Sequence, residues 1–143
     1  MKKIEEFVKE REKLNEVVLK NANLEIKRFF NLDSSVYKKG TLPVKFKELL
    51  GLVASLVLRC DDCITYHLIR CKEEKVSDEE LVEALSIALV VGGSITIPHL
   101  RRAFEKWEEL KKIKKEKILN NSPLSPSKVP EEGPSPRGKE KGG

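Results

Sequence analysis

Two stretches of this chain are apolar on every side at helical spacing. After Glu48 the sequence runs Leu-Leu-Gly-Leu-Val-Ala-Ser-Leu-Val-Leu, and the second half of residues 78–91 again carries no charge. A helix without a polar face needs cover all round, and no alternating pattern long enough for a strand accompanies these runs. The chain is therefore expected to be all-α.

The remaining helices follow from the same periodicity. Ile4, Phe7, Val8, Leu14, Val17 and Val18 predict a helix over residues 3–19, and a short second one is expected over 21–31. Residues 31–42 hold Asp33, Ser34, Ser35 and Gly40 and read as a loop. Pro43 then sits near the first turn of a helix over 44–58, where its missing N–H is harmless. After an interruption at 59–62 a further helix is expected to about Lys75. Ser77 with Glu80 has the capping-box spacing that starts a helix over 78–91, and Gly92-Gly93 ends it. The last helix is expected from Pro98 to about Leu119. Two all-round apolar helices need more cover than three or four amphipathic neighbours supply, so part of their surface is expected to be buried between subunits.

Composition divides the chain near residue 120. Residues 120–143 hold five of the seven prolines and four of the eight glycines, with Leu124 and Val129 their only apolar side chains. Such a segment cannot bury enough surface to offset its ordering entropy, so the expected organisation is a helical domain over 1–119 and a disordered tail over 120–143. The net charge of +5 comes largely from Lys111, Lys112, Lys114, Lys115 and Lys117. No aromatic residues interleave with them, so they read as a solvated helix end rather than a nucleic-acid or membrane patch. No apolar run approaches a membrane span, and the start Met-Lys-Lys-Ile-Glu-Glu is unlike a signal peptide. The expectation is a soluble, cytoplasmic protein. Abundant Lys and Glu without Gln hints at a thermophilic source.

The reactive side chains cluster in Cys60-Asp61-Asp62-Cys63-Ile64-Thr65-Tyr66-His67. Cys63 and His67 stand one turn apart on one helix face. Cys60 falls at the helix start, where the helix dipole favours a thiolate. A thiolate attacks peroxides and disulfides, and a second Cys nearby can resolve the product. His67 is placed to take the thiol proton, directly or through one water. Asp61 and Asp62 act in the other direction, since negative charge raises a thiol pKa. A zinc site from Cys60, Cys63, His67 and either His99 or Cys71 is a rival reading, and an inert cysteine pair is a third. Cys71 reads as a core residue, His99 as a structural or helix-start histidine, and Tyr66 as a packing residue on another face. Glu48 is the last charge before ten uncharged residues. It is either a proton acceptor made so by partial burial or an exposed first-turn residue.

Glu48, eleven residues, Cys60-x-x-Cys63, three residues and His67 together resemble the signature of the alkylhydroperoxidase AhpD-like proteins of the carboxymuconolactone decarboxylase superfamily. Lys47-Glu48-Leu49, Ser77-Asp78-Glu79-Glu80, Glu83-Ala84-Leu85, Gly92-Gly93 and Pro98-His99 extend the likeness over about residues 40–110. The resemblance implies an all-α helical bundle assembled as a homo-trimer or homo-hexamer. It implies a thiol-dependent peroxidase, or a disulfide reductase, with a peroxide substrate and a dithiol or protein-disulfide electron donor. In that pattern Cys63 attacks, Cys60 resolves, and Glu48 and His67 relay the proton. No cofactor, metal, nucleic acid or membrane is called for. Asp62 stands where the better-studied peroxidase members carry a histidine. The decarboxylase branch lacks the Cys pair, so lactone decarboxylation is not expected.

Overall fold

In the computed structural model, which describes residues 3–113, six helices follow one another: α1 (Ile4–Asn21), α2 (Leu24–Val36), α3 (Val44–Val57), α4 (Asp61–Glu73), α5 (Asp78–Gly92) and α6 (Ile97–Lys112), with a 3₁₀ turn at Ser94–Thr96. No strand occurs among the described residues. Residues 120–143, expected as a disordered tail, lie outside them, as do Lys114, Lys115 and Lys117.

The core is built mainly by the last four helices, with Ile4 of α1 joining it and Phe7 and Val8 packed against it. Helix α3 packs against α4 and α5, and α4 packs against α6. Leu52, Leu56, Leu68, Leu81, Leu85 and Leu110 have no or almost no exposed surface. Truncating any one of them to Ala would cost about 2–5 kcal/mol. The capping box forms as its spacing predicts: Glu80 N–H donates to Ser77 Oγ at 3.1 Å, and Ser77 N–H donates to Glu80 Oε1 at 3.0 Å. Trp107 closes the α5–α6 seam, its indole N–H donating to Asp78 Oδ1 at 2.7 Å.

Helices α1 and α2 are held more lightly. Helix α1 buries only Ile4, whose N–H donates to Glu109 of α6 at 2.7 Å, and α2 buries no side chain. The second helix runs beyond its expected end at residue 31 to Val36, through the first half of the stretch read as loop, and residues 37–42 are not helical. Asn23 caps it by accepting from Ile26 N–H, and Ser35 turns its hydroxyl back to Leu32 C=O at 2.9 Å, a bond compatible with helix. Lys47 then ties the end of α2 to α3 by donating to the carbonyls of Val36 and Lys38.

The two apolar helices are not covered on every side within this chain. Leu50 and Leu58 around α3 are 58% and 76% exposed, and Val90 and Val91 of α5 are 84% and 68% exposed. Their other faces supply the core. Among the described residues no helix is long and apolar enough to cross a membrane.

Candidate redox site

Three residues, Leu58 to Cys60, join α3 to α4. Arg59 takes a left-handed conformation with φ +58°, and Cys60 N–H donates to Ser55 C=O at 3.1 Å, so the chain reverses tightly and α4 returns along α3. Cys60 is then the N-cap of α4, its Sγ accepting from Cys63 N–H at 3.3 Å. Cys60 and Cys63 are joined in a disulfide with their Cα atoms 5.2 Å apart. The turn thus places both sulfurs at the positive end of a helix, where the dithiol form would gain thiolate stabilisation.

The return of α4 along α3 brings Glu48 to His67. Measured along the helices at about 1.5 Å per residue, Glu48 lies roughly 18 Å before Cys60 and His67 roughly 10 Å after it. The side chains close the remaining offset: His67 Nδ1 donates to Glu48 Oε2 at 2.8 Å. Glu48 is 1% exposed, so the exposed first-turn reading of this residue does not hold. Its second oxygen accepts from Arg70 Nε at 3.3 Å, and Arg70 in turn bonds Glu73 and Glu74. Burial pulls the Arg70 guanidinium down, and the bond to Glu73 with the charges of Glu73 and Glu48 more than offsets it, leaving Arg70 above its ordinary value. A carboxylate facing Arg70 can only accept, which assigns the ring proton to Nδ1 and leaves Nε2 as the basic nitrogen.

Nε2 lies 3.4 Å from the hydroxyl of Tyr37 at the end of α2. Gly51 makes this meeting possible. A Cβ there would fall 2.7 Å from His67 Cε1 and 2.8 Å from Tyr37 Oη, closer than real atoms approach. Burial and the charges of Glu48 and Asp33 push the Tyr37 phenol up, so it stays protonated.

Cys63 and His67 open onto a cleft of about 440 Å³. Tyr66 lines it with them, contrary to the expectation of a separate packing face. The far wall is α1, through Phe7, Arg11 and Leu14. The Arg11 guanidinium stacks 4.3 Å above the Tyr66 ring, and the Tyr66 ring meets that of His67 edge-on at 5.1 Å. Burial lowers the Arg11 guanidinium and raises the Tyr66 phenol. A second cavity of about 280 Å³ shares Asp33 and Tyr66 with the first and reaches Tyr37, Glu48 and Arg70.

The two aspartates beside the thiols differ. Asp61 is paired: His99 Nδ1 donates to its Oδ1 at 2.8 Å and Arg102 Nη2 to its Oδ2 at 3.1 Å. Burial raises the Asp61 carboxyl, but the bonds from His99 and Arg102 outweigh it and hold it below the ordinary range. His99 is thus structural, fastening α6 to the start of α4. Asp62 lines the cleft. Cys71 is fully buried, and desolvation together with the Glu48 charge pushes its thiol up to about 12. Among the described residues no three His, Cys, Asp or Glu side chains are gathered to hold a metal ion.

Of the four residues singled out by spacing, Glu48 and His67 are hydrogen-bonded, Cys60 and Cys63 are joined in a disulfide, and Cys63 and His67 line the same cleft. Tyr37, Gly51 and Arg70 were not singled out, because nothing in their local sequence distinguishes them from packing or surface residues. The capping of α2 by Asn23 is the one sequence signal that leads to Tyr37, since it starts the helix whose end carries it.

The carboxymuconolactone decarboxylase family model matches residues 26–106. Two crystal structures of TM1620 from Thermotoga maritima superpose with TM-scores of 0.74 and 0.72. They are 66% and 60% identical, covering 75% and 84% of this chain and 94% and 98% of the other. One description names a carboxymuconolactone decarboxylase family protein and suggests an involvement in antioxidative response. The apo form of lpg0406, a carboxymuconolactone decarboxylase family protein from Legionella pneumophila, is 26% identical, with a TM-score of 0.70 over 76% of this chain and 97% of the other. Among curated sequences, an uncharacterized protein of Cupriavidus necator is 28% identical over 71 residues. That match spans 50% of this chain and 63% of the relative, a little under two thirds of its length. Uncharacterized protein 4 in the cox locus of Paracoccus denitrificans is 24% identical over 82 residues, which is 57% of this chain and 74% of the relative.

Proposed function

As the chain belongs to the carboxymuconolactone decarboxylase family, we propose that it is a thiol-dependent peroxidase in which Cys60 and Cys63 cycle between dithiol and disulfide. One observation carries this reading: Cys63 of the disulfide lines an open cleft together with a histidine whose Nδ1 is held by a buried glutamate.

The chemistry assigned to each group is as follows. In the dithiol form His67 Nε2 takes the proton of Cys63 while Glu48 holds the imidazole through Nδ1. The Cys63 thiolate attacks the terminal peroxide oxygen and the O–O bond breaks. The departing alkoxide collects the proton from His67 and leaves as an alcohol, and Cys63 becomes a sulfenic acid. The Cys60 thiol attacks that sulfur, the disulfide forms and water leaves. A dithiol donor then reduces the pair and is itself oxidised to a disulfide. The scheme moves its proton on His67 alone, so Asp62 at the position of the family histidine does not interrupt it.

The test is peroxide consumption with a dithiol donor, for wild type and Cys63→Ser. Consumption by wild type alone is expected, with a Cys60–Cys63 disulfide by mass spectrometry after peroxide. Equal rates in the two proteins sink the reading. Turnover of a disulfide substrate without peroxide consumption would move it to a disulfide reductase.

A homo-trimer or homo-hexamer in the cytoplasm belongs to the same proposal. Its support is that Val90, Leu58 and Phe29 are left 84%, 76% and 67% exposed, large apolar side chains of the kind a partner subunit covers. Light scattering on the full chain is expected to give a multiple of three; a monomer rejects the assembly.

A further inference from the structure

We infer that Tyr37 is a positioning residue of the redox cycle: its hydroxyl occupies Nε2 of His67 while Cys60 and Cys63 are joined, and yields that nitrogen to the Cys63 thiol once the pair is reduced. The inference rests on the thiol–disulfide cycle proposed above and names a residue outside the Glu–Cys–Cys–His pattern.

Four observations support it. The Tyr37 hydroxyl stands 3.4 Å from Nε2, and the two rings lie 5.3 Å apart and tilted. Gly51 leaves unfilled the volume that both groups use; a side chain there would push against each of them. His67 is only 7% exposed and its Nδ1 is committed to Glu48, so Nε2 is the ring nitrogen left for a further partner. The disulfide carries no S–H to offer that nitrogen, and the phenol, kept protonated beside Glu48 and Asp33, does.

The exclusivity follows from valence. Neutral Nε2 has one lone pair and accepts one strong hydrogen bond at a time. A donor from Tyr37 and a proton from Cys63 therefore compete for it. In the disulfide state Cys63 has no proton with which to compete. In the dithiol state Cys63, one turn away on the same helix, provides one. The Tyr37–His67 bond thus belongs to the oxidised protein, and it weights the equilibrium toward disulfide by the free energy of one partly buried hydrogen bond.

Tyr37→Phe removes the hydroxyl and keeps the ring. Equilibration of the full chain in glutathione redox buffers should show the variant three- to tenfold more dithiol than wild type, a rise of about 15–30 mV for a two-electron couple. An unchanged equilibrium, or a shift toward disulfide, overturns the inference. The second measurement needs no variant. The His67 Nε2 resonance in ¹⁵N-histidine-labelled protein should move on reduction of the disulfide, and a resonance indifferent to redox state also overturns it. Neither readout uses peroxide. Loss of the Tyr37 effect with intact peroxide turnover refutes this inference alone, whereas a Tyr37 effect in a protein that consumes no peroxide refutes the peroxidase reading.

Discussion

Helix α4 carries cysteines in two settings little more than two turns apart. Cys60 and Cys63 sit at its N-terminus, where free N–H groups, a cleft and His67 meet. Cys71 lies about 12 Å farther along, sealed between helices with its thiol pushed up to about 12. Residue type is the same and helix is the same. Burial and the sign of the helix end separate a thiol that can react from one that cannot, so a cysteine count alone says little about chemistry in such a chain.

The sharpest way to break this comparison is alkylation. In the reduced protein at pH 8, a thiol with a pKa of about 12 is thiolate in roughly one molecule in ten thousand. Against an ordinary thiol of pKa about 8.5 that is about a thousandfold less thiolate, so Cys71 should label far more slowly than Cys63, as followed by mass spectrometry. Comparable rates would remove the distinction. Glu48→Gln comes next. It keeps the size of the side chain but takes away the carboxylate that receives Nδ1–H, and should lower peroxide turnover about 10²-fold at neutral pH. Gly51→Ala should follow, with a loss of about tenfold or more in the same assay, because the added methyl displaces the His67 ring. Cys71→Ala should leave turnover unchanged and cost about 1–2 kcal/mol in chemical denaturation, the price of a small cavity.

The smallest effect concerns Asp61 at the mouth of the helix. Its folded carboxyl lies below the ordinary value, so it contributes stability above the unfolded pKa, and that contribution is lost as pH falls through the lower folded value. The pair is substantially exposed, with Asp61 at 45%, so screening keeps the contribution to a few tenths of a kcal/mol. Asp61→Asn should flatten the fall in melting temperature below about pH 4 by about a degree. An unchanged slope would show that the bonds to His99 and Arg102 carry no net stability.

Much of the molecule was legible from local pattern. Helical periodicity, the Ser77–Glu80 box and the Gly92-Gly93 stop concern neighbours in sequence, and they place four helices within a few residues. The site residues were legible through spacing and through the resemblance that reinforced it. Periodicity could not say that Glu48 and His67 touch, since that depends on the tight reversal at Arg59 and Cys60. The loop expected over 31–42 begins only at residue 37, because Asp33, Ser34 and Ser35 are turn formers by propensity, yet here Ser35 bonds back into the helix and Lys47 fastens its end. That same extension delivers Tyr37 to His67, so one local misreading hid one residue of the candidate site. Gly51 carries no signal of its own within the apolar run. Its role is visible only when the two rings it accommodates are in place.

The light anchoring of α1 has a consequence for traffic through the cleft. One wall of the chamber is a helix with a single fully buried side chain, while the opposite wall belongs to the packed bundle. Local opening free energies scale with what must be uncovered, so α1 belongs to the low-protection end of the molecule in the hydrogen-exchange sense, and α4 to the high end. Amide exchange is therefore expected to be faster across α1 than across α4, and the wall that fluctuates is the one carrying Arg11 and its stack on Tyr66.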